Sequence, residues 1–247
     1  MWKYPRVLAH RGGGSLAPEN TLAALRCGLA HGFHAVEFDV MALRDGSLVL
    51  MHDPELGRTL AGQGQVADCS MAELAAMDAG SWFSAEFAGE PVPDFEAVLS
   101  FCLAQGIFMN AEIKPAPGME VDTGRRVAQA CAGLPDGSVL LSSFSLDALM
   151  AAKAAAPQVP RALLVEAVPD DWQAQLNQTG GVALHAKASL LTPVQAAAVK
   201  QAGLGLLCYT VNHPEQALAL LAMGVDAICT DRIDLIPADF YDSPVLR

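Results

Sequence analysis

Short apolar runs and stretches of helical spacing follow one another along almost the whole chain. Arg6 to Ala9 is a short apolar run that reads as a strand. Residues 21 to 31 then place Leu22, Leu25 and Leu29 at helical spacing, with Asn20 as the expected N-cap. His34 to Val40 reads as a second strand and Leu48 to Met51 as a third apolar run. Between them, Asp45-Gly46 is a strong short hairpin signal. Taken as a two-residue turn, it pairs Arg44 with Ser47 and sets Asp39 opposite His52. Glu37 and Asp39 are two apart and share a face. This register predicts one patch holding two carboxylates and a histidine.

Residues 53 to 93 break the pattern. They are rich in Gly, Ala and Ser, with a short amphipathic piece at Ser70 to Met77 and with Trp82, Phe83 and Phe87 close together. That is too long for an ordinary loop. It reads as an inserted subdomain whose aromatics form a small core of its own. The alternation then resumes: helix over Phe95 to Gln105, strand over Ile107 to Ile113, helix over Val121 to Ala132, strand over Ser138 to Ser142. Ser145 caps a helix running to Ala156, followed by a strand at Ala162 to Val165 and a helix at Asp171 to Asn177. Gly181 to Leu184 is a strand, and Thr192 to Ala202 a helix with Thr192 as N-cap and Pro193 in its first turn. Leu204 to Val211, Pro214 to Met223 and Asp226 to Cys229 complete the chain as strand, helix and strand.

These are nine strand candidates. If Leu48 to Met51 is only a hairpin partner, eight parallel strands alternate with helices. The expected fold is a (β/α)8 TIM barrel, a single catalytic domain over residues 1–247 with 53–93 inserted after the second-strand hairpin. The length of 247 residues suits that architecture, and 52% hydrophobic residues provide for one large core.

Net charge is −12 with only 15 Lys and Arg, which argues against a nucleic-acid surface. No apolar run of about 18 residues is present, so no membrane insertion is expected. The first residues lack the apolar region of a signal peptide. Cys27, Cys69, Cys102, Cys131, Cys208 and Cys229 are scattered without a C-x-x-C pair. A reduced, cytoplasmic setting is therefore expected.

In such a barrel the working residues sit at strand C-termini and in the loops that follow. Those ends read His10-Arg11, Glu37 with Asp39, Glu112 with Lys114, Ser142-Ser143, His185 with Lys187, Tyr209 with Asn212, and Asp231. Glu37 and Asp39 are costly inside a barrel unless paired or bound to a cation. Either they bridge to Arg11 or Lys114, or they form a metal site with Glu112 as third ligand. Three carboxylates without cysteine suit one divalent cation of the hard class: Mg²⁺ foremost, Ca²⁺ or Mn²⁺ otherwise. His10, entering the glycine-rich loop Gly12 to Gly14, and His52 could supply the base and the acid that phosphodiester cleavage needs. Arg11 can clamp a phosphate. Lys114 either pairs with Glu112 or neutralises phosphoryl charge. Tyr209 reads as a wall aromatic, Asp231 as a support for Arg11 or a loop residue, and His185 with Lys187 as a surface rim rather than a border of the substrate pocket. Ser142 and Ser143 lie in no G-x-S-x-G context, so a nucleophile elbow is not expected.

Together these residues resemble the glycerophosphodiester phosphodiesterase family. The match runs through His10-Arg11-Gly12, Pro18-Glu19-Asn20-Thr21, Glu37-x-Asp39, Asp45-Gly46, His52-Asp53, Glu112-x-Lys114, Tyr209-Thr210-Val211-Asn212 and Thr230-Asp231-Arg232. The chain is similar to the short cytosolic bacterial type associated with glycerol-3-phosphate uptake. The resemblance implies a divalent metal on Glu37, Asp39 and Glu112, acid–base roles for His10 and His52, and Arg11 on phosphate. Lys114 and Tyr209 would also line the substrate, with Asn20, Asn212 and Asp231 in support. It further implies hydrolysis of glycerophosphocholine or glycerophosphoethanolamine to glycerol 3-phosphate and an alcohol. The nucleophile would be water or the neighbouring glycerol hydroxyl. Many members carry Trp where this chain has Tyr209. The partner is a small molecule, and the chain is expected as a monomer or homodimer. A phospholipase acting on intact lipid and a non-catalytic phosphate-binding barrel are the rival readings.

Overall fold

A computed structural model describes residues 2–242. The strands are β1 (Val7–Ala9), β2 (Ala35–Ala42), β3 (Leu48–Leu50), β4 (Phe108–Ile113), β5 (Val139–Ser143), β6 (Arg161–Val165), β7 (Ala183–Lys187), β8 (Gly205–Tyr209) and β9 (Ala227–Thr230). The helices are α1 (Leu22–Ala30), α2 (Met71–Leu74), α3 (Phe95–Ala104), α4 (Glu120–Cys131), α5 (Leu146–Ala155), α6 (Trp172–Thr179), α7 (Pro193–Gln201) and α8 (Pro214–Ala222). Every strand except β3 pairs in parallel with both neighbours, and β1 closes the ring by pairing with β2 and β9. The fold is a (β/α)8 TIM barrel. β3 lies outside it, antiparallel on β2.

Local chemistry sets the helix starts. Asp94, Ser145 and Thr192 each accept a hydrogen bond from the backbone N–H three residues on, which satisfies a donor left free at a helix N-terminus. α1 is capped by Thr21, not Asn20: Thr21 Oγ1 accepts from Ala24 N at 3.0 Å. Both residue types can cap. Asn20 is drawn away by a partner across the barrel mouth.

The hairpin register differs from the expected one by a residue. Met41 pairs with Val49 and Ala42 with Leu48, so Asp39 lies opposite Met51 and not His52. The turn has three residues, Arg44-Asp45-Gly46, closed by Leu43 N donating to Ser47 O at 2.9 Å. Gly46 has φ of +86°, the left-handed conformation that ends this type of loop. His52 still reaches the barrel mouth because β3 ends at Leu50 and the chain bends after Met51, so strand alternation no longer governs it.

Between β3 and α3 the chain folds through α2 and short bridges, Glu55 with Gln65 and Asp78 with Pro91. Its buried residues Leu60, Val66, Leu74, Ala79 and Val92 pack against Met41, Leu43, Val49 and Met51 of the hairpin. This core is aliphatic. Trp82, Phe83 and Phe87 were expected to form it; instead they make an edge-to-face row beside it, with ring centroids 5.7 and 5.6 Å apart and Trp82 39% exposed.

The barrel interior is layered. Its base is lined by small residues, among them Ala35, Ala183, Gly205 and Ala227, beneath Leu8, Leu140 and Leu207. The space they leave is filled from below by Trp2 and Tyr4. Tyr4 stacks on Phe108 at 4.8 Å, and a Cβ on Gly205 would lie 2.7 Å from the Trp2 ring. Polar side chains occupy the opposite, C-terminal end.

Candidate active site

That C-terminal end opens into a cavity of about 290 Å³ lined by His10, Arg11, Glu37, Asp39, His52, Glu112, Lys114 and Tyr209, among others. β2 delivers Glu37 and Asp39, and β4 delivers Glu112 directly beside Asp39 in register. Oxygen atoms of these three buried carboxylates lie within 4.8 Å of one another. Burial and the Asp39 charge push the proton affinity of Glu37 up to about 7 and of Glu112 up to about 8. Asp39 is held below its ordinary value: burial works against this, but Lys114 and Arg11 outweigh it.

The salt-bridge and metal readings of this cluster turn out to be compatible. Lys114 Nζ lies 3.3 Å from Asp39 and 3.2 Å from Glu112, and Arg11 Nε lies 3.7 Å from Asp39. Even so, burial first and the neighbouring Asp39 charge second keep both Glu37 and Glu112 raised towards the protonated form. Such an all-oxygen set fits a hard divalent cation, which would relieve that repulsion.

Both histidines are anchored at Nδ1 by a carboxylate, and His10 Nε2 lies 3.7 Å from Glu37 Oε2. His10 Nδ1 lies 2.6 Å from Asp231, and Asp231 is braced by Asn212, whose Nδ2 donates to it at 3.0 Å while its Oδ1 accepts from Asp231 N at 2.8 Å. Asp231 was expected to support Arg11 or to be a loop residue; its partner is His10. His52 Nδ1 lies 2.7 Å from Asp53. The environments then push the two apart. Burial lowers the proton affinity of both, but Asp231 and Glu37 carry His10 above its ordinary value, whereas His52 stays below.

Asn20 bridges back to the carboxylates. Its Nδ2 donates to Asp39 Oδ2 at 2.8 Å and its Oδ1 accepts from Asp39 N at 3.1 Å, with φ of +58°. Arg11 also has positive φ, +50°; its N–H donates to Glu37 at 3.2 Å and its guanidinium to Glu19 at 2.7 Å. Tyr209 presents its ring to the cavity while its hydroxyl donates to Val165 O at 2.8 Å. Phe144 stands edge-on to that ring at 6.1 Å.

One residue sits at the less favoured of its two expected places, and another carried no signal. His185 is not on the surface rim but borders the cavity: β7 runs on to Lys187, which places His185 in the barrel interior with 0% exposure. Arg58 carried no motif signal. It donates to both oxygens of Glu19 at 2.7 Å and to Asp53 at 2.5 Å, and so ties the anchor of His52 to the partner of Arg11.

Comparison with known proteins adds the lineage of this geometry. The model of the glycerophosphoryl diester phosphodiesterase family matches residues 10–235. The chain belongs to that family. A glycerophosphodiester phosphodiesterase of Caldanaerobacter subterraneus subsp. tengcongensis is 31% identical over 230 residues, covering 91% of this chain and 93% of that one. Among solved structures, an Oleispira antarctica phosphodiesterase in complex with the product sn-glycerol-3-phosphate superposes with a TM-score of 0.90 at 36% identity, covering 97% of this chain and 96% of that one. A glycerophosphodiester phosphodiesterase from Agrobacterium tumefaciens superposes with a TM-score of 0.78 at 25% identity, covering 97% and 100%. As a member of this phosphodiesterase family the chain is an enzyme, and the family is in general metal-dependent. Among the described residues, no helix is long and apolar enough to cross a membrane.

Proposed function

We propose that this chain hydrolyses glycerophosphodiesters such as glycerophosphocholine and glycerophosphoethanolamine to glycerol 3-phosphate and the free alcohol, in the cytoplasm. One observation carries the reading: two carboxylate-anchored histidines share a single cavity with three clustered carboxylates, an arginine and a lysine. That is the equipment of phosphodiester cleavage, in which charge must be neutralised and one proton taken while another is given. Residues 53–93 serve as an inserted subdomain of the single catalytic domain and supply Arg58 to the site.

Arg11 and Lys114 bind the phosphate and hold it against the carboxylate cluster. Glu37, Asp39 and Glu112 would hold one divalent cation, Mg²⁺ foremost, which when bound polarises the phosphoryl oxygens. One histidine removes the proton of the nucleophile and the other protonates the departing alkoxide. The opposed shifts of His10 and His52 support such a division, since an environment that raises one proton affinity and lowers the other suits one group to give a proton and the other to take one. Asp231 and Asp53 fix the ring orientations. Tyr209, its hydroxyl committed to Val165, acts through its ring as a wall.

The test is direct. Purified protein is incubated with glycerophosphocholine and with glycerophosphoethanolamine, with and without EDTA, and glycerol 3-phosphate is followed. Product from at least one, lost with EDTA and restored by Mg²⁺, is expected. Absence of product from both with every divalent cation would overturn the proposal.

A further inference from the structure

Beneath the charged mouth, the cavity has a second chemical character. His185 and Asn110 line its floor, at 0% and 1% exposure. Asn110 pairs in register with Glu37 and lies two residues before Glu112, so it shares their interior face. His185 pairs with Leu164 on one side and Leu207 on the other, and the Trp2 ring stands edge-on at 6.2 Å. Neither ring nitrogen of His185 nor Oδ1 of Asn110 has a hydrogen-bond partner, although all three atoms are buried.

Buried polar atoms are nearly always paired, because each one left alone loses its hydrogen bond to water and gains nothing in return. A leucine or phenylalanine at 185 would suit the apolar surroundings better for stability. Burial without any charged partner keeps this imidazole neutral, pushing its proton affinity down to about 3. It therefore offers one donor and one acceptor to the same cavity that the Asn110 acceptor lines. Uncharged, paired functionality of this kind suits hydroxyl groups; it does not suit a phosphate, which Arg11 and Lys114 serve at the mouth. The glycerol half of a glycerophosphodiester carries two adjacent hydroxyls, each a donor and an acceptor.

Resting on the proposed activity, we infer that His185 and Asn110 form a subsite for the vicinal diol of the substrate and determine specificity for the glycerol half. The glycerol end then enters first and lies deepest, and the alcohol head group faces the mouth near Phe144 and Tyr209.

The test compares two diesters, glycerophosphoethanolamine and bis(4-nitrophenyl) phosphate, which has no diol. For His185→Leu, the KM for the glycerol substrate should rise roughly tenfold to a hundredfold relative to that for the aryl diester, the worth of one or two buried hydrogen bonds. His185→Gln, which keeps a donor and an acceptor, should recover part of that ratio. Thermal stability of His185→Leu should match or exceed the wild type, an outcome that a purely structural histidine would reverse. Calorimetry with sn-glycerol 3-phosphate and with inorganic phosphate gives a readout independent of turnover. The leucine variant should bind the former about tenfold more weakly and the latter as the wild type does. An unchanged KM ratio with equal binding of glycerol phosphate would overturn the subsite, leaving His185 as a buried histidine or one that holds only water. Failure of the wild type to cleave any glycerophosphodiester would instead strike the proposed activity, and the calorimetric comparison would still judge the subsite.

Discussion

Asn20 carries two burdens that a substitution can separate. Its side chain pairs with Asp39 twice, through Nδ2 to Oδ2 at 2.8 Å and through Oδ1 to the Asp39 N–H at 3.1 Å. Its backbone sits at φ of +58°, which asparagine tolerates better than alanine does. Asn20→Ala removes a hydrogen bond to a buried carboxylate and strands a buried N–H. From about 1.5–3 kcal/mol for the first and about 1–3 for the second, together with about 1 for backbone strain, a net loss of roughly 3–5 kcal/mol is expected after partial relaxation. That corresponds to a fall in Tm of roughly 6–20 °C for a chain of this size. Asn20→Gly relieves the strain alone, so it should recover about 1 kcal/mol of the deficit. Urea denaturation of the three proteins, with turnover measured below the transition, reads both quantities. Activity should fall in both variants, since Asp39 loses the group that orients it. A loss below 1 kcal/mol in Asn20→Ala, or equal stability of wild type and Asn20→Gly, would show that the bridge to Asp39 is not what holds this residue.

Further outcomes follow from the same geometry. Arg58→Gln should lower kcat and raise KM together, by about 10–100-fold in kcat/KM, because Arg58 braces the anchor of His52 and the partner of Arg11; Arg58→Lys should fall between, and less than twofold change in both parameters would refute it. The Arg58 hydrogen bond, outweighing burial, holds the Asp53 carboxyl down to about 2, so its folded value lies below the unfolded one. The stability it adds is complete above the ordinary value of 3.8 and is lost as pH falls through about 2. Between about pH 5 and pH 2, denaturation midpoints should therefore fall less steeply in Arg58→Gln than in wild type, because the variant has less of this stability to lose. Mg²⁺ at 100 times its dissociation constant should stabilise the EDTA-treated protein by about 2.7 kcal/mol, and Glu112→Gln should abolish most of that gain in a thermal melt.

Much of the barrel was legible because the apolar runs are short, regularly spaced and punctuated by capping residues such as Ser145 and Thr192. The ends of strands were less so. β7 was expected to stop at Leu184, because His185 interrupts the apolar run, yet an interior face can take a polar residue without ending the strand. The hairpin missed its register by one because Asp-Gly serves both two-residue turns and three-residue loops; a two-residue type I′ turn would need Asp45 as well as Gly46 at positive φ, and here only Gly46 adopts it. Asn20 and Thr21 are both good caps, so helix chemistry alone could not rank them; the tie is broken by Asp39, nineteen positions away. Arg58 was invisible for the same reason. Its meaning depends on Glu19 and Asp53 meeting, which no local spacing encodes.

The aromatic plug of Trp2 and Tyr4 has a kinetic meaning. A barrel stoppered at its base by the chain's own side chains is a cup with one lip, so everything that enters must leave by the way it came. Were the glycerol end to sit at the bottom, as inferred above, traffic would be ordered: the severed alcohol, uppermost, would depart first, and glycerol 3-phosphate would follow. The second product would then compete with fresh substrate for the whole cup, whereas the first would contend only for its rim.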